Sequence, residues 1–323
     1  MLVFAEQPMD KPNKFPLVSI LINNYNYANF LAAAISSCLK QTYPHLEIIV
    51  VDDGSQDNSR QVMEKYGEQI VPIFKVNGGQ ASAFNQGFAA SHGEIICFLD
   101  ADDLFSPNKV EKVVEIFQDY PDIGWCFHSL QIFTDKIAAP DHPATKSVNS
   151  GVYDLRNFLS QGKLRGKMPF EGTATSGICF RRSFLEQLLP MPEESSITLS
   201  DNYLKYAAFA LTPGYILLEE LAQQRIHGNN AYTLRKNQKS LRGKIDILTA
   251  FWLKSNFPQM SKFSNNIFAL GYSFYDRKDN NDPQLKLLIH QYFSSLTIAE
   301  KMEIQIRRIY YCIKSSINPL FQP

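Results

Sequence analysis

The sequence predicts an α/β fold, in which a mostly parallel sheet is flanked by helices and followed by a helical C-terminal extension. Three observations lead to this fold class. Apolar runs of strand length alternate with stretches of helical spacing over the first part of the chain. These runs are continuously apolar, which is typical of strands that are buried on both faces. Three of them end in a cluster of polar residues. Such an alternation predicts parallel strands joined by helical crossovers.

The N-terminal part of the chain contains four predicted strands and the helices between them. The strands are predicted over residues 16–23, 46–55, 70–76 and 94–100. Helices are predicted over residues 28–41, 57–67, 77–91 and 106–120. Gly67 is expected to close the second helix, and a glycine turn to open the third. Ser106 is the predicted N-cap of the fourth helix, with Pro107 at its first position.

The pattern after residue 120 is less regular. The predicted elements are a strand over 123–133, a polar loop over 134–150, a strand followed by a helix over 176–188, a helix capped by Ser200 over 200–211, and a strand pair or strand and loop over 215–230. After residue 236 the pattern is helical and basic, and a capping box at Thr297 and Glu300 opens the last helix. We therefore predict a tail over 1–15, an α/β domain over 16–235 and a basic helical extension over 236–323.

The charge of the chain is unevenly distributed although its formal sum is zero. Residues 1–224 contain 17 Lys and Arg against 26 Asp and Glu, a net charge of −9. Residues 225–323 contain 15 against 6, a net charge of +9. An acidic front part suits a metal site. A basic end suits an anionic partner, or the acidic front part itself.

Composition and motifs exclude several classes of function. The five cysteines are scattered and form no CxxC pair, which favours reduced thiols in a cytoplasmic protein over disulfides or a zinc site. The first residues lack the features of a signal peptide, and no run approaches the roughly 18 apolar residues of a membrane span. The chain has neither a GxGxxG nor a P-loop motif, and its basic part contains no nucleic-acid-binding module.

Three polar clusters are predicted to meet at one edge of the sheet. They follow the first, second and fourth strands, at residues 23–26, 52–55 and 100–103. Ligands of such sheets bind at the carboxyl ends of the strands. Asp100, Asp102 and Asp103 repel one another, so a cation is expected in front of them. Carboxylates suit Mg²⁺ or Mn²⁺, which often bridges substrate phosphates. The alternative is a solvated acidic turn that caps the next helix.

Three stretches of the chain resemble a known family. They read VSILINNYNYANFLAAAISSCLKQTYPHLEIIVVDDGSQDNS, NGGQASAFNQGFAASHGEIICFLDADD and LAQQRIHGNNA. Together they look like the signature stretches of glycosyltransferase family 2, and the resemblance covers about residues 16–230. It implies the GT-A nucleotide-sugar-binding fold, and an enzyme that transfers a sugar with inversion of its anomeric centre.

The resemblance implies roles for residues at the strand ends. Asn23 and Tyr25 match positions that meet the nucleotide base, with Tyr25 stacking on it. Asp53 matches a residue that hydrogen-bonds the base edge, usually of uracil. Asp100 and Asp102 match the Asp-x-Asp motif, in which Asp102 is the more direct metal ligand and Asp100 a partner of the ribose or the metal.

Two further roles come from the later stretches. Asp201 resembles the carboxylate that acts as general base towards the acceptor, and His227 matches a position that helps to hold the metal and the diphosphate. These assignments have alternatives. Asp201 could instead be a favourable charge at a helix start, and Tyr25 could be a core aromatic. His227 could be a structural residue, with Arg225 contacting the phosphates. The chain departs from the family at Phe84, where many relatives carry Arg.

The resemblance therefore implies a metal-assisted transferase with a nucleotide-sugar donor, most simply a UDP- or dTDP-sugar. Its acceptor would be the hydroxyl group of a glycan, a lipid-linked saccharide or another molecule. Two other readings stay open: a sugar nucleotidyltransferase, which usually has a glycine-rich basic loop near the first strand, and a non-catalytic module that binds sugar nucleotides.

The last helix is predicted to be amphipathic. One face carries apolar side chains three or four positions apart: Ile298, Met302, Ile306, Ile309, Ile313 and Ile317. Basic residues lie outside this stripe. The default expectation is that the apolar face docks on the rest of the chain. The alternative is a peripheral contact with the cytoplasmic face of a membrane, because basic amphipathic helices bind anionic lipids.

Overall fold

The structure is a computed structural model, and it describes residues 15–134, 149–161, 173–193, 199–227, 238–275 and 282–317. The predicted tail over 1–15 and most of the loop over 134–150 lie outside these residues. The boundary between 235 and 236 does so too, and the division into an α/β domain and an extension stays a prediction.

The first half of the fold is the predicted alternation of strands and helices. The strands are β1 (Val18–Asn24), β2 (Leu46–Asp52), β3 (Val71–Phe74) and β4 (Ile95–Asp100). The helices are α1 (Ala28–Leu39), α2 (Ser59–Glu64), α3 (Gly79–Ala90) and α4 (Lys109–Asp119). β1 pairs in parallel with both β2 and β4, and β2 pairs in parallel with β3. The continuous apolar runs form these strands because helices cover both faces of the sheet.

The second half adds shorter elements and a helical end. Its strands are β5 (Leu104–Phe105), β6 (Trp125–Thr134), β7 (Gly151–Tyr153), β8 (Ile178–Arg181) and β9 (Gly214–Ile226). Its helices are α5 (Arg156–Ser160), α6 (Arg182–Leu185), α7 (Asp201–Leu211), α8 (Gln238–Asn256), α9 (Ser261–Phe274), α10 (Pro283–Ser294) and α11 (Ile298–Ile317).

All described strands belong to one sheet. Its order is β3-β2-β1-β4-β8-β6-β9-β5, with β7 paired to β9. β8 runs antiparallel to both β4 and β6, so the later part of the sheet is mixed while the first four strands are parallel. β2, β1 and β4 are adjacent, and their polar clusters therefore meet at one edge as predicted.

Several local predictions differ from the structure. α4 begins at Lys109, and its N-cap is Asn108 rather than Ser106, because the Ser106 hydroxyl instead donates to the Glu220 carbonyl of β9. Pro107 thus precedes the helix. α2 ends at Glu64, and Gly67 (φ +52°) opens a short 3-10 turn. The stretch over 215–230, for which the pattern predicts a strand pair or a strand and loop, forms one strand, β9, that ends at Ile226.

Two predicted caps are present. The Ser200 side chain accepts a hydrogen bond from the Asn202 backbone N–H and opens α7. The Thr297 and Glu300 pair forms the capping box of α11: the Thr297 N–H donates to the Glu300 carboxylate at 2.9 Å, and the Glu300 N–H donates back to the Thr297 hydroxyl. These local signals fix helix starts, because each satisfies N–H groups that have no partner within the helix.

The default expectation for α11 is wrong. α11 packs on α9 through the opposite side, where Ile304 is fully buried. The stripe points to solvent in the described part of the chain: Ile298, Met302, Ile306, Ile309 and Ile313 are each more than half exposed. The side chain of Ile317 lies outside the described residues. The basic residues explain this orientation, since Arg307 bonds Asn266 of α9 and Arg308 lies over the Tyr272 ring of α9.

No helix of the described residues is both long enough and apolar enough to cross a membrane. The five cysteines are free thiols, of which Cys312 alone is partly exposed.

Candidate active site

A cleft of about 860 Å³ opens where the three strand-end clusters meet. One side is lined by the ends of β1, β2 and β4 together with the start of α3. The opposite side is lined by α7 and α8. Six of the seven residues that the sequence predicts for the site line this cleft: Asn23, Tyr25, Asp53, Asp100, Asp102 and Asp201. The seventh, His227, contacts it through Asp102.

The floor of the cleft is held together by bonds between neighbouring turns. Asn24 of β1 and Asp52 of β2 are neighbours in the strand pairing, and the Asn24 amide donates to the Asp52 carboxylate at 2.8 Å. It also donates to Ser55, whose hydroxyl accepts the Asn26 backbone N–H. Gly54 has φ +75°, and a Cβ there would lie 2.7 Å from the Asn77 nitrogen. Only glycine therefore fits between the two turns.

Asn23 and Tyr25 present unused binding groups to the cleft. The Asn23 side chain is buried, yet neither of its amide atoms has a hydrogen-bond partner among the described residues. A buried amide without partners is costly, so this one is suited to a ligand. Tyr25 is 46% exposed and is not the core aromatic considered as its alternative.

Asp53 is buried at the wall of the cleft and is held by four donors. Lys75 Nζ and the Gly78 N–H donate to one carboxylate oxygen, at 2.6 Å and 2.9 Å. The Asn77 amide and the Gly79 N–H donate to the other, at 3.2 Å and 2.7 Å. The glycine turn before α3 thus wraps around Asp53 and fixes its orientation. Lys75 was not found from the sequence, because it lies in no motif.

Asp102 is joined to His227 across the sheet. His227 Nε2 lies 3.1 Å from an Asp102 carboxylate oxygen, and its ring stacks on Phe30 with centroids 4.6 Å apart. The Arg225 guanidinium lies between the rings of Phe30 and Phe133 and donates to the Asp102 carbonyl at 3.1 Å. Arg225 therefore holds the loop that carries Asp102.

The third carboxylate of the cluster, Asp103, is a structural partner of the other two. It accepts the Ser176 hydroxyl at 2.6 Å and the Arg225 backbone N–H at 2.9 Å. The same Ser176 hydroxyl accepts the Asp100 N–H at 3.1 Å. No sequence motif marks Ser176, which lies more than 70 residues away in the chain.

The carboxylates of the cluster destabilise one another's charge. Burial, followed by the charges of Asp103, Asp102 and Asp201, raises the pKa of Asp100 well above its usual range. Burial and the charge of Asp102 raise the pKa of Asp103 to about 7. Burial also raises the pKa of Asp102, while the bond with His227 opposes this rise. A cation in the cleft would stabilise the charged form of all three carboxyl groups and so lower their pKa values.

Asp201 faces the cluster from the other side of the cleft. It is the first residue of α7, and the Ser200 cap fixes this helix end. Lys205, one turn later, donates to the Asp201 carboxylate and to the Thr173 carbonyl, both at 2.8 Å. Lys205 is nearly buried and was not found from the sequence. Its position at i+4 from Asp201 could have suggested the pair.

The remaining wall of the cleft comes from α8. Its side chains Leu241, Arg242, Ile245 and Asp246 line the cleft opposite the strand ends. No motif marks them. Phe84, where many relatives carry Arg, is fully buried and packs against the Phe98 ring at 4.6 Å, so it does not face the cleft.

The described residues fit a metal that takes most of its ligands from a substrate. Among them no three His, Cys, Asp or Glu side chains converge closely enough to hold an ion without further ligands. Asp102, oriented by His227, offers a carboxylate oxygen as a ligand for such an ion. Mg²⁺ typically binds one or two carboxylates and completes its shell with phosphates and water.

The fold is that of GT-A glycosyltransferases. The family model for glycosyl transferase family 2 matches residues 19–189, and the chain belongs to this family. It is 40% identical over 217 residues to the glycosyltransferase alr2836 of Nostoc sp. strain PCC 7120, a match that covers 66% of each chain. It is 34% identical over 108 residues to the putative teichuronic acid biosynthesis glycosyltransferase TuaG of Bacillus subtilis, covering 32% of this chain and 43% of TuaG.

Two solved structures share the fold. The crystal structure of S. aureus TarS residues 1–349 in complex with UDP-GlcNAc has a TM-score of 0.64 at 16% identity, covering 91% of this chain and 89% of TarS. The mannosyltransferase PcManGT of Pyrobaculum calidifontis, in complex with GDP-Man and Mn²⁺, has a TM-score of 0.53 at 16% identity, covering 98% and 91%. The predicted GT-A fold with C-terminal helices is thereby confirmed.

Proposed function

We propose that this transferase moves a sugar from a UDP- or dTDP-sugar to a hydroxyl group of a glycan or a lipid-linked saccharide, with inversion, in polysaccharide synthesis. One observation carries the proposal: Asp100, Asp102 and Asp201 face one cleft that also contains the Asn23 amide, which has no hydrogen-bond partner among the described residues. TuaG, by its name a relative in teichuronic acid biosynthesis, supports the polysaccharide class.

Asp102 is proposed to hold a Mg²⁺ or Mn²⁺ ion together with the diphosphate of the donor, and His227 to support it. PcManGT, a structure of similar fold, is in complex with GDP-Man and Mn²⁺, which supports this proposal. The bound ion would supply Lewis-acid stabilisation of the leaving diphosphate. His227 orients the Asp102 carboxylate, and Arg225 holds the backbone of the same residue. Asp100 would bind the ribose or share the ion.

Asp201 is proposed to be the general base. It would accept the proton of the acceptor hydroxyl as that oxygen bonds to the anomeric carbon and the bond to the diphosphate breaks. A single displacement from the face opposite the leaving group inverts the anomeric centre. Lys205 keeps the Asp201 carboxylate turned into the cleft, because it anchors one oxygen and is itself fixed to the Thr173 carbonyl.

Tyr25, Asn23 and Asp53 are proposed to bind the nucleotide. Tyr25 offers an exposed ring for stacking on the base, and Asn23 offers both a donor and an acceptor. Asp53 would accept the N3–H of uracil or thymine. Since its oxygens already accept four hydrogen bonds, the base would displace a donor, and the Lys75 and Asn77 side chains are the two that can rotate away.

Calorimetry with UDP, dTDP and CDP in the presence of Mn²⁺ tests the nucleotide assignment. UDP or dTDP should bind more tightly than CDP, which has no N3–H, and the Asp53→Asn variant should lose this preference. Equal affinities for all three nucleotides would remove Asp53 from base recognition. If none of them binds, the chain is not a transferase of this donor class.

The exposed stripe of α11 is proposed to rest on the cytoplasmic face of an anionic membrane. Five large apolar side chains share one solvent-facing side, and the surrounding part of the chain, residues 225–323, carries a net charge of +9. Apolar area and positive charge together favour anionic lipid surfaces. The buried free thiols agree with a reducing, cytoplasmic location.

Co-sedimentation with vesicles tests this contact. Vesicles that contain phosphatidylglycerol should bind the protein at low salt, and the pair Ile306→Asp and Ile309→Asp should abolish binding without loss of folding. Vesicles of phosphatidylcholine alone should bind weakly. A concentration-dependent dimer that ignores vesicles would assign the stripe to a second copy of the chain instead.

A further inference from the structure

The wall of the cleft opposite the nucleotide side is formed by elements that lie outside the matched family segment. The family model ends at residue 189, whereas α7 begins at Asp201 and α8 at Gln238. These helices place Tyr206, Arg242 and Asp246 along the cleft, next to Asp201. What this wall binds is therefore a property of this chain rather than of the shared donor site.

α8 is held in one position by a close contact with α9. A Cβ on Gly243 would lie 2.8 Å from the Gly271 carbonyl oxygen, and a Cβ on Gly271 would lie 2.7 Å from the Gly243 carbonyl oxygen. The two helices thus touch backbone to backbone at this pair. Arg242 and Asp246 flank the contact one helical turn apart, so both side chains lie on the face that lines the cleft.

Asp246 is a buried carboxyl with an unused oxygen. Only 6% of the residue is exposed, and its Oδ2 has no hydrogen-bond partner among the described residues. The Arg242 Nε lies 3.8 Å from it, too far for a hydrogen bond. Burial raises the pKa of Asp246 to about 7, and the Arg242 charge opposes this rise. A buried carboxyl oxygen without a hydrogen bond is unfavourable, and a bound hydroxyl group that donates to it would remove this penalty.

The surroundings of Asp246 suit a sugar ring. Tyr206, Leu241 and Ile245 offer an aromatic ring and aliphatic surface for the C–H face of a pyranose. The Arg242 guanidinium, half exposed at the mouth, offers donors, and the Asp246 carboxyl offers an acceptor. An apolar platform beside a few fixed polar groups is the usual composition of a small-ligand site. The position next to Asp201 places this site where an acceptor must bind.

We propose that α8 carries the acceptor subsite, in which Asp246 and Arg242 bind neighbouring hydroxyl groups of a neutral pyranose at the end of the acceptor glycan. The proposal rests on the proposed function, because it takes Asp201 as the base that activates the acceptor. It adds the class of acceptor and the residues that select it.

Saturation-transfer NMR with neutral methyl glycosides tests the subsite. The probes are the methyl glycosides of glucose, galactose, mannose and N-acetylglucosamine, measured with methyl glucuronide as an anionic probe, in the presence of UDP and Mn²⁺. At least one neutral glycoside should bind the wild-type protein. Asp246→Ala and Arg242→Ala should each weaken its binding about tenfold or more, the loss of one or two hydrogen bonds to charged groups.

Three comparisons make the result decisive. Lys244→Ala, on the same helix but outside the cleft lining, should bind as wild type does. Asp246→Asn keeps the shape of the side chain, so it controls for misfolding and should bind less tightly than wild type. UDP affinity should be the same in all variants. If the wild-type protein does not bind UDP, the result contradicts the proposed function and not the subsite.

Two outcomes would overturn the subsite. One is a wild-type protein that binds none of the neutral glycosides, or only the glucuronide. The other is glycoside binding that Asp246→Ala and Asp246→Asn leave unchanged while UDP still binds.

Discussion

Asp102 is fixed by neighbours from two other parts of the chain, the end of β9 and the segment before β8. His227 contacts its carboxylate, the Arg225 side chain binds its carbonyl group, and Asp103 beside it is held by Ser176. The cluster can thus keep its shape when a single carboxylate is changed. Substitutions at Asp102 should therefore report on chemistry more than on folding.

Asp102→Asn should reduce Mn²⁺-dependent turnover by a factor of about 10² or more, because an amide keeps the shape but loses the charge that binds the ion. Turnover measured over a range of Mn²⁺ concentrations checks this, and an unchanged thermal melting curve controls for folding. Normal turnover with normal Mn²⁺ dependence would show that Asp102 does not hold the metal.

Asp201→Asn should lower kcat by a factor of about 10² to 10⁴, the usual effect of losing a positioned general base. Donor affinity should hardly change, since Asp201 lies across the cleft from the nucleotide side. Lys205→Met is the matched variant: it leaves the carboxylate in place but removes its anchor, so its effect on kcat should be smaller. A collapse of donor affinity in Asp201→Asn would instead place this residue in the donor site.

Asp246 predicts a pH dependence of stability. Its pKa is about 7 in the folded protein and ordinarily 3.8, so between these values the folded protein keeps a proton that the unfolded chain has lost. The free energy of unfolding should therefore fall as the pH rises from about 4 to about 7. The charge that acts on Asp246 is that of Arg242 on α8, the titratable Tyr206 of α7 interacts with it, and Asp201 and Lys205 of α7 line the same cleft.

The Asp246→Asn variant should lose the share of this dependence that Asp246 contributes, while the raised pKa values of Asp100, Asp102 and Asp103 maintain the rest. Urea unfolding should give wild-type stability at about pH 4 and greater stability than wild type at about pH 8, since the amide carries no buried charge. Parallel pH profiles of the two proteins would show that Asp246 does not titrate in this range.

At the scale of the elements, the predictable part of the fold is the part with local signals. β1, β2 and β4 are recognisable from continuous apolar runs, and the α7 and α11 starts from their capping residues. The predicted start of α4 was wrong because the Ser106 hydroxyl donates to the Glu220 carbonyl of β9, far away in the chain. The two-residue β5 and three-residue β7 are too short to have a periodicity of their own.

α11 shows why amphipathicity does not reveal which face is buried. Its apolar stripe is exposed, while its basic side packs on α9 through Ile304 and the stems and charges of two arginines. Long basic side chains can cover apolar surface with their stems. The sequence pattern predicts the two faces correctly and cannot say which neighbour each one meets.

A pair of substitutions in α11 tests this orientation. Ile304→Ala should lower the free energy of unfolding by about 2–5 kcal/mol, because it leaves a cavity in a fully buried position. Ile306→Ala, at a residue that is 65% exposed, should change it by less than about 0.5 kcal/mol. Denaturant unfolding of both variants checks the difference. Equal losses would mean that the stripe is covered in solution.

At the scale of the molecule, the uneven charge has a structural meaning. The acidic part provides the carboxylates of the cleft, and the basic part closes the cleft with α8 and presents α11. The strand-end half of the cleft could be predicted because its residues follow buried strands and match a family pattern. Of the wall formed by α7 and α8 only Asp201 could be predicted, because no motif marks Lys205, Arg242 or Asp246 and helix packing brings α8 to the cleft.

Turnover of sugar nucleotides tests the central claim most directly. The protein is incubated with a panel of UDP- and dTDP-sugars and Mn²⁺ without acceptor, and the release of the nucleoside diphosphate is measured. We predict slow hydrolysis of at least one donor, which needs Mn²⁺ and is lost in both Asp102→Asn and Asp201→Asn. Donor binding without any hydrolysis would indicate a non-catalytic module. Synthesis of a nucleotide sugar from a nucleoside triphosphate and a sugar phosphate would indicate a nucleotidyltransferase. Either result would contradict the proposed function.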